Sequence, residues 1–422
     1  MDLELLEPHP RRVLEAFRRG EFDGLEVLGQ ADEKAFFELC MREGMLEALA
    51  LKMPTARKRE EVPRWFILAA NLSLKLHGEH AFLALDRVVR CGGLLSALNP
   101  ALAAKHLDPE SRRVMLECTG FNLKNHYDRQ SPCDQDTLRK FVQDVSAAQW
   151  QGWFNGAVQE IFQAHGFFDP EGVFVGDGSY LFVPDNPAYE GSVVMWFDEH
   201  NHPVQYDQLT PEERQRAHRE RCYKLVSLLH LRGKSYVYAA LAIVPGNAHE
   251  LPVLYKLVDD FVGRVGPRVL KRLILDRGFI DGARIAYCKN VLEVDVLIPL
   301  KKNMELWKDA WALSEGLRWE PRIVPPPPKP PTPKRPEVIE RRERTRQQTL
   351  ARKKAQEPPS DPATVLTASE LCPIKGFQWA EADVPLHIVA LRETYADGHQ
   401  DRWALLTTEN FTDPQVFRSS QI

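Results

Sequence analysis

The sequence predicts a helical region followed by an α/β layered domain, and three observations carry that prediction. Val173-Phe174-Val175-Gly176-Asp177-Gly178-Ser179-Tyr180-Leu181-Phe182 is a β-branched and aromatic run, which reads as a buried strand broken at its centre by Gly-Asp-Gly. About 100 residues later the pattern returns as Arg272-Leu273-Ile274-Leu275-Asp276-Arg277-Gly278-Phe279, again an apolar strand running into Asp and then Gly. Around these two runs, strand-like and helix-like segments alternate, as in an α/β layer arrangement. A chain of 422 residues exceeds one ordinary core, so two or three domains are expected.

Residues 1–166 read as helical throughout. Residues 63–89 form a long apolar segment that breaks near Gly78, which predicts two packed helices. Asp134 or Asp136 is placed to cap a helix through residues 137–142. Trp150, Phe154 and Val158 then recur at four-residue spacing, the buried face of a further helix. Arg139 and Lys140 follow a Pro-Cys-Asp turn, an arrangement that suits a helix-turn-helix and a plain bundle equally.

At Gly166 the composition turns strand-rich. Strands are expected at residues 173–183, 193–197, 204–206, 225–229 and 236–244. His200 and His202 fall in a tight turn between two of them and read as polar turn residues rather than metal ligands. A charged helix is expected over residues 210–221, carrying Arg214, Arg216, His218, Arg219 and Arg221. A loop over residues 245–250 leads into an amphipathic helix at 251–262. A helix at 281–292 leads to a strand at 294–299, with Lys301 and Lys302 at its end.

From Val324 the chain changes character. Residues 325–333 are a polyproline spacer. Residues 337–357 are charged and helix-prone, include Arg341, Arg342, Lys353 and Lys354, and have no apolar face to pack on a core. Such a stretch meets either solvent or nucleic acid. Residues 384–392 and 402–407 then predict a hairpin around Ala396-Asp397-Gly398-His399.

The two carboxylates carry the chemistry. An Asp within an apolar strand is costly unless a cation or metal compensates its lost hydration, and α/β sheets place their sites at strand ends. Asp177 and Asp276 are hard oxygen ligands suited to a divalent cation. Such a cation activates water or a 3′-hydroxyl for in-line attack on phosphate. The neighbouring glycines leave room for a ligand close to the backbone. The structural alternatives are a turn role for Asp177, and for Asp276 a cap of the following segment or a pair with Arg277.

Composition bounds the class. Hydrophobic content of 44% and charged content of 27% are those of a soluble globular protein. No apolar run approaches the ~20 residues of a membrane span, and residues 1–12 lack the apolar stretch of a signal peptide. Seven scattered cysteines without a C-x-x-C pair indicate reduced thiols in a cytoplasm rather than disulfides or a zinc ribbon. The net charge of −4 does not by itself suggest a nucleic-acid binder, although local basic patches matter more than the sum.

Gly176-Asp177-Gly178-Ser179, Leu275-Asp276-Arg277-Gly278-Phe279 and Leu405-Leu406-Thr407-Thr408-Glu409-Asn410-Phe411-Thr412-Asp413-Pro414 together resemble bacterial DDE insertion-sequence transposases. The resemblance covers about residues 166–415, and the helical N-terminal part more loosely. Its most specific element is Asp-Arg-Gly-Phe followed by a helix and an Ile-Pro-Leu-Lys-Lys strand. It implies an RNase H-like core split by a largely β insertion, where the Pro-rich and basic segment and the 384–407 hairpin would fall. The implied organisation has a helical DNA-end-binding domain at 1–166 and the first part of the core at 167–303. An insertion with the Pro-rich and basic linker at 304–383 and the hairpin with a truncated end of the core at 384–422 complete it.

The same resemblance implies that Asp177 and Asp276 hold Mg2+, or Mn2+, to cut the ends of a mobile element and join the freed 3′-hydroxyl to target DNA. The partners would be double-stranded DNA at terminal repeats and target, and a second copy of the chain, at the nucleoid of a bacterial cytoplasm and away from membranes. Arg139, Lys140, Arg216, Arg219, Arg277, Lys301, Lys302, Arg341, Arg342, Lys353 and Lys354 would follow DNA phosphates, with binding that weakens as salt rises. The family's third carboxylate lies on a helix just after the Thr-Thr-x-x-x-x-Asp-Pro stretch, in a Tyr…Arg…Glu…Lys arrangement. Here Asp413-Pro414 is followed by residues 415–422 without that Glu, and Glu393 and Glu409 sit on or beside the hairpin. The expectation is a C-terminally truncated transposase with two of three ligands, weak or absent activity and an exposed apolar sheet face. A non-catalytic DNA-binding remnant and an RNase H-like nuclease with a different third ligand are the alternatives.

Overall fold

The structure, a computed structural model, describes residues 18–20, 30–60, 62–79, 81–85, 88, 94, 133, 135–233, 235–322 and 366–413. The chain divides into two compact units, residues 1–167 and 168–422.

The first unit is helical. Its described helices include α1 (Gln30–Arg42), α2 (Met45–Leu51), α3 (Arg64–Leu76) and α4 (Gln135–Gln143). Phe37, Leu46, Phe66, Ile67, Leu74, Leu138 and Phe141 form its core, and Ala69 and Ala70 on α3 pack fully buried within it. The break expected near Gly78 is present: α3 stops, Gly78 takes φ +72°, and a 3-10 turn follows at Phe82–Ala84.

The aromatic face expected at Trp150, Phe154 and Val158 is different. Helix α5 (Ala147–Trp153) starts at a capping box between Ser146 and Gln149. It passes through a π-turn at Phe154–Val158 into α6 (Gln159–Ala164). The wider turn breaks the four-residue period. Ahead of that turn, Trp153 stands three residues after Trp150 on the same helix face, ring centroids 5.8 Å apart, against the core that holds Phe141. The Trp153 indole N–H donates to the Leu49 carbonyl at 3.1 Å.

The second unit is built on one mixed sheet. Its strands are β1 (Gly172–Val183), β2 (Val193–Phe197), β3 (Pro203–Val204), β4 (His218–Arg232), β5 (Ser235–Pro245), β6 (Leu270–Leu275), β7 (Asp295–Pro299), β8 (Glu320–Pro321), β9 (Leu366–Trp379), β10 (Ala382–Tyr395) and β11 (Gln400–Thr407). Helices α7 (Pro211–Arg216), α8 (Glu250–Val265), α9 (Gly282–Asn290) and α10 (Glu305–Ser314) accompany them. Strand β1 pairs antiparallel with β4 and parallel with β6, β6 runs parallel to β7, and β5 lies antiparallel on β4. The order β5-β4-β1-β6-β7, with α8 and α9 as crossovers, is the RNase H-like core that the resemblance implies. Strand β11 pairs with β7 and continues the same sheet into β10, β9 and β8.

Helix α8 covers one face of this core. Leu254, Val258 and Phe261 are fully buried, and the Phe261 ring lies 5.2 Å from that of Phe174 on β1. On the opposite face the register of β1, β4 and β5 aligns Leu181, Leu231, Tyr236, Tyr238 and Ile243, all exposed. The charged helix expected over residues 210–221 is shorter. A Thr210–Glu213 capping box starts α7, but from His218 the chain belongs to β4, where Cys222, Lys224, Val226 and Leu228 are buried at two-residue spacing. Arg219 therefore projects from a strand. Among the described residues five cysteines are buried and free, and no helix is long and apolar enough to cross a membrane.

Candidate active site

Strand register brings the two carboxylates together. Gly176 and Leu275 are the last residues paired between the parallel strands β1 and β6, and the next residue of each strand is an Asp. Beyond that point β1 continues along β4, whereas the chain after β6 turns away through Arg277–Phe279. Asp276 thus stands at a strand end, as expected, while Asp177 lies within β1 where the sheet opens.

The structural roles open to Asp276 are hardly used. Its side chain makes no cap to the turn that follows, which is closed by the Phe279 N–H donating to the Asp276 backbone carbonyl at 2.9 Å. The side chain is 58% exposed, with Arg277 Nε 4.0 Å away in a loose ion pair. Asp177 behaves differently. Burial of its surroundings pushes its carboxyl above the usual range, and the negative charges of Asp276 and Glu250 push it further. Bonds to the Gly178 N–H and the Ser179 side chain offset part of that rise.

The two glycines flanking Asp177 make room for close packing within the chain. A Cβ at Gly176 would meet Leu254 at 2.6 Å and Leu275 at 2.7 Å, so the glycine admits α8 against β1. A Cβ at Gly178 would fall inside the Glu250 carboxylate. Glu250, the first residue of α8, is therefore part of the site's surroundings, where the sequence predicts only the end of a loop. Its recognisable signal was a carboxylate opening a helix directly after a strand pair, where the helix dipole favours negative charge. Lys224 of β4, 11% exposed at its side chain, places Nζ 3.3 Å from Glu250 Oε2. The same ammonium donates to the Ala248 carbonyl at 3.1 Å and lies 5.2 Å from the Tyr180 ring.

Helix α8 also fixes the turn after Asp276. Buried Tyr255 donates its hydroxyl to the Phe279 carbonyl at 2.9 Å, and burial pushes that phenol well above its ordinary range. Glu409 and Glu393 are engaged elsewhere. Glu409 accepts two hydrogen bonds from Arg272, which is in register with Asp295 at the start of β7, the opposite end of the strand from Asp276. Glu393 pairs with Arg322 at 3.1 Å. Among the described residues no three His, Cys, Asp or Glu side chains converge tightly enough to close on one metal ion.

The predicted basic residues scatter. Arg277 stands beside Asp276, and Lys301 and exposed Lys302 follow β7 at the sheet end where β6 delivers Asp276. Arg216 pairs with Glu199 at 3.5 Å, and Arg219 lies where β4 pairs with β2, past Asp177. In the first unit Arg139 bonds Asp136 at 3.0 Å, and Lys140 is exposed on the same helix. Arg341, Arg342, Lys353 and Lys354 lie outside the described residues. His200 and His202 are turn residues whose backbone N–H groups both donate to Asp198 at 2.8 Å.

The family described as transposase DDE domain matches residues 190–403, a span that holds Lys224, Glu250 and Asp276 and begins after Asp177. Among solved structures, piggyBac transposase in a synaptic complex with hairpin DNA is similar at 11% identity and a TM-score of 0.26. That match covers 95% of this chain, which spans 56% of the piggyBac chain. No curated protein matches the chain. The family match extends over half of the sequence, and the chain belongs to the transposase DDE-domain family.

Proposed function

We propose that this protein is a DNA transposase of the insertion-sequence type, with Asp177 and Asp276 as the carboxylates that hold its divalent cation. The observation that carries this reading is the register at Gly176 and Leu275, which delivers one Asp from each of two adjacent parallel strands to the point where the sheet opens. The donor set fits a hard cation, Mg2+ or Mn2+: the carboxylates are oxygen ligands, and burial together with the nearby charges of Asp276 and Glu250 raises Asp177. When bound, such a cation polarises a phosphoryl oxygen and makes a nearby water or hydroxyl a better nucleophile.

The remaining residues have positioning roles. Tyr255 keeps the Asp276 turn in place through the Phe279 carbonyl. Arg277, 53% exposed beside Asp276, is placed to meet a phosphate oxygen of the scissile strand. Lys301 and Lys302, at the same end of the sheet, extend a basic path along a bound duplex. Its DNA would be the ends of the mobile element and the target, in the cytoplasm of a bacterium at the nucleoid, with a second copy of the chain holding the second end.

A strand-cleavage assay on DNA flanking the gene, in Mg2+, tests this reading. Cleavage by the wild type that Asp276→Ala abolishes supports it. Retained gel-shift binding without any cleavage supports the non-catalytic DNA-binding alternative instead. Binding itself is expected to weaken steeply with added salt.

A further inference from the structure

We infer that His230 is an acid-sensitive latch: while neutral it holds closed the point where the chain enters the second unit, and once protonated it loosens that point. It acts apart from Asp177 and Asp276, and stands whether or not those carboxylates bind a cation.

His230 lies near the end of β4, in register with Phe174 on β1 and Val237 on β5. It is fully buried, and among the described residues neither ring nitrogen has a hydrogen-bond partner. Its surroundings are mostly carbon. The Phe174 ring is 4.7 Å away and the Phe168 ring 5.8 Å, centroid to centroid, and Phe261 of α8 packs 5.2 Å from both phenylalanines. The Gly172 backbone closes the pocket: a Cβ there would stand 2.9 Å from His230 Nε2. As packing alone a histidine is a poor choice here, because one ring nitrogen always carries a proton and its hydrogen bond is forgone. What it adds over a phenylalanine is a change of charge close to neutral pH.

Among the described residues two charged groups reach it. Asp169, on the segment leading into β1, has Oδ2 3.6 Å from Nε2, and Arg232 Nε holds the same carboxylate at 3.5 Å. The elements around the ring, β1, β5 and α8, contribute Gly172, Phe174, Val237 and Phe261, none of which ionises. Burial holds the imidazole below its ordinary pKa; Asp169 works against that shift and Arg232 adds to it. The unfolded chain therefore takes up this proton before the folded chain does. Stability is full at neutral pH and is lost as pH falls below about 6.5, until the folded pKa is passed. Once charged, the imidazole is drawn from the ring cluster toward Asp169, which is 44% exposed. That pull disturbs the packing of Phe168, the first residue of the second unit, and with it the start of β1.

Hydrogen exchange of the full chain, read by mass spectrometry from about pH 7.5 to about pH 5 and corrected for intrinsic rates, tests this. Residues 168–175 and 228–232 are expected to lose at least about tenfold in protection, while β6 and β7 keep theirs. His230→Phe fills the ring cluster without a titrating group and is expected to hold its protection across the range. Asp169→Asn removes the waiting carboxylate and is expected to lose more than the wild type. Unchanged protection in the wild type, or an equal loss in His230→Phe, would overturn the latch. The imidazole NMR signals of the wild type give a second reading that needs no variant. The His230 signal is expected to titrate below the ordinary histidine value, and a midpoint at about 6.5 or higher would overturn the latch equally.

Discussion

Arg272 on β6 grips Glu409 with two hydrogen bonds, Nε to Oε2 at 2.7 Å and a terminal nitrogen to Oε1 at 2.6 Å. Both side chains are about one quarter exposed. The pair ties the segment after β11 to the start of β6, away from Asp276, and assigns Glu409 a structural task. Glu409→Ala is therefore expected to lower stability by about 1–3 kcal/mol, since it removes two charge-assisted hydrogen bonds at a largely buried pair. Urea denaturation measures this, and Mn2+ affinity should stay at the wild-type value.

Asp177 sets a pH signature. Burial and two neighbouring negative charges raise its folded pKa above the unfolded value. Its ionised form thus opposes folding at neutral pH, and the opposition fades as pH falls through the folded pKa. In EDTA at pH 8, Asp177→Asn should melt at a higher temperature than wild type, with the gap closing toward pH 4. Adding Mg2+ should raise the wild-type midpoint and leave the variant unmoved. A variant that melts below wild type in EDTA at pH 8 would show that the carboxylate is satisfied without a cation.

The two glycines flanking Asp177 separate packing from chemistry. Gly176→Ala drives a methyl into Leu254 and Leu275 inside a filled core, with an expected cost of about 1–3 kcal/mol by calorimetry. Gly178→Ala presses on the flexible end of Glu250 instead. Its melting point should change less.

Tyr255→Phe removes a buried hydroxyl and leaves the Phe279 carbonyl without that donor. A loss of about 1–3 kcal/mol is expected in denaturant melts. Looser placement of Asp276 should also slow DNA cleavage at saturating Mg2+.

Much of this fold is written locally. The β-branched runs of β1, β6 and β7 and the Ala396–His399 turn of the β10–β11 hairpin carry their own period and turn chemistry, and they form where the pattern puts them. Strand β9 escaped notice because Pro373 and Gly376 interrupt it, and its pairing with β10 supplies the order that its own sequence does not. Helix α10, with Trp307 and Trp311 four residues apart, was legible but overshadowed by the Pro-rich stretch that follows. At the site, Asp177 and Asp276 were visible as acids in apolar strands. Glu250 was not, because its significance lies in two glycines and a lysine brought to it by tertiary packing.

If Asp276 binds the ion that drives DNA cleavage, exchanging its oxygen for sulfur changes which metal supports cutting. Asp276→Cys should not cut DNA flanking the gene in Mg2+, which binds thiolate poorly, and should regain cutting in Mn2+, which accepts the softer ligand. Cleavage by Asp276→Cys in Mg2+ at the wild-type rate would show that the Asp276 oxygen does not hold the ion.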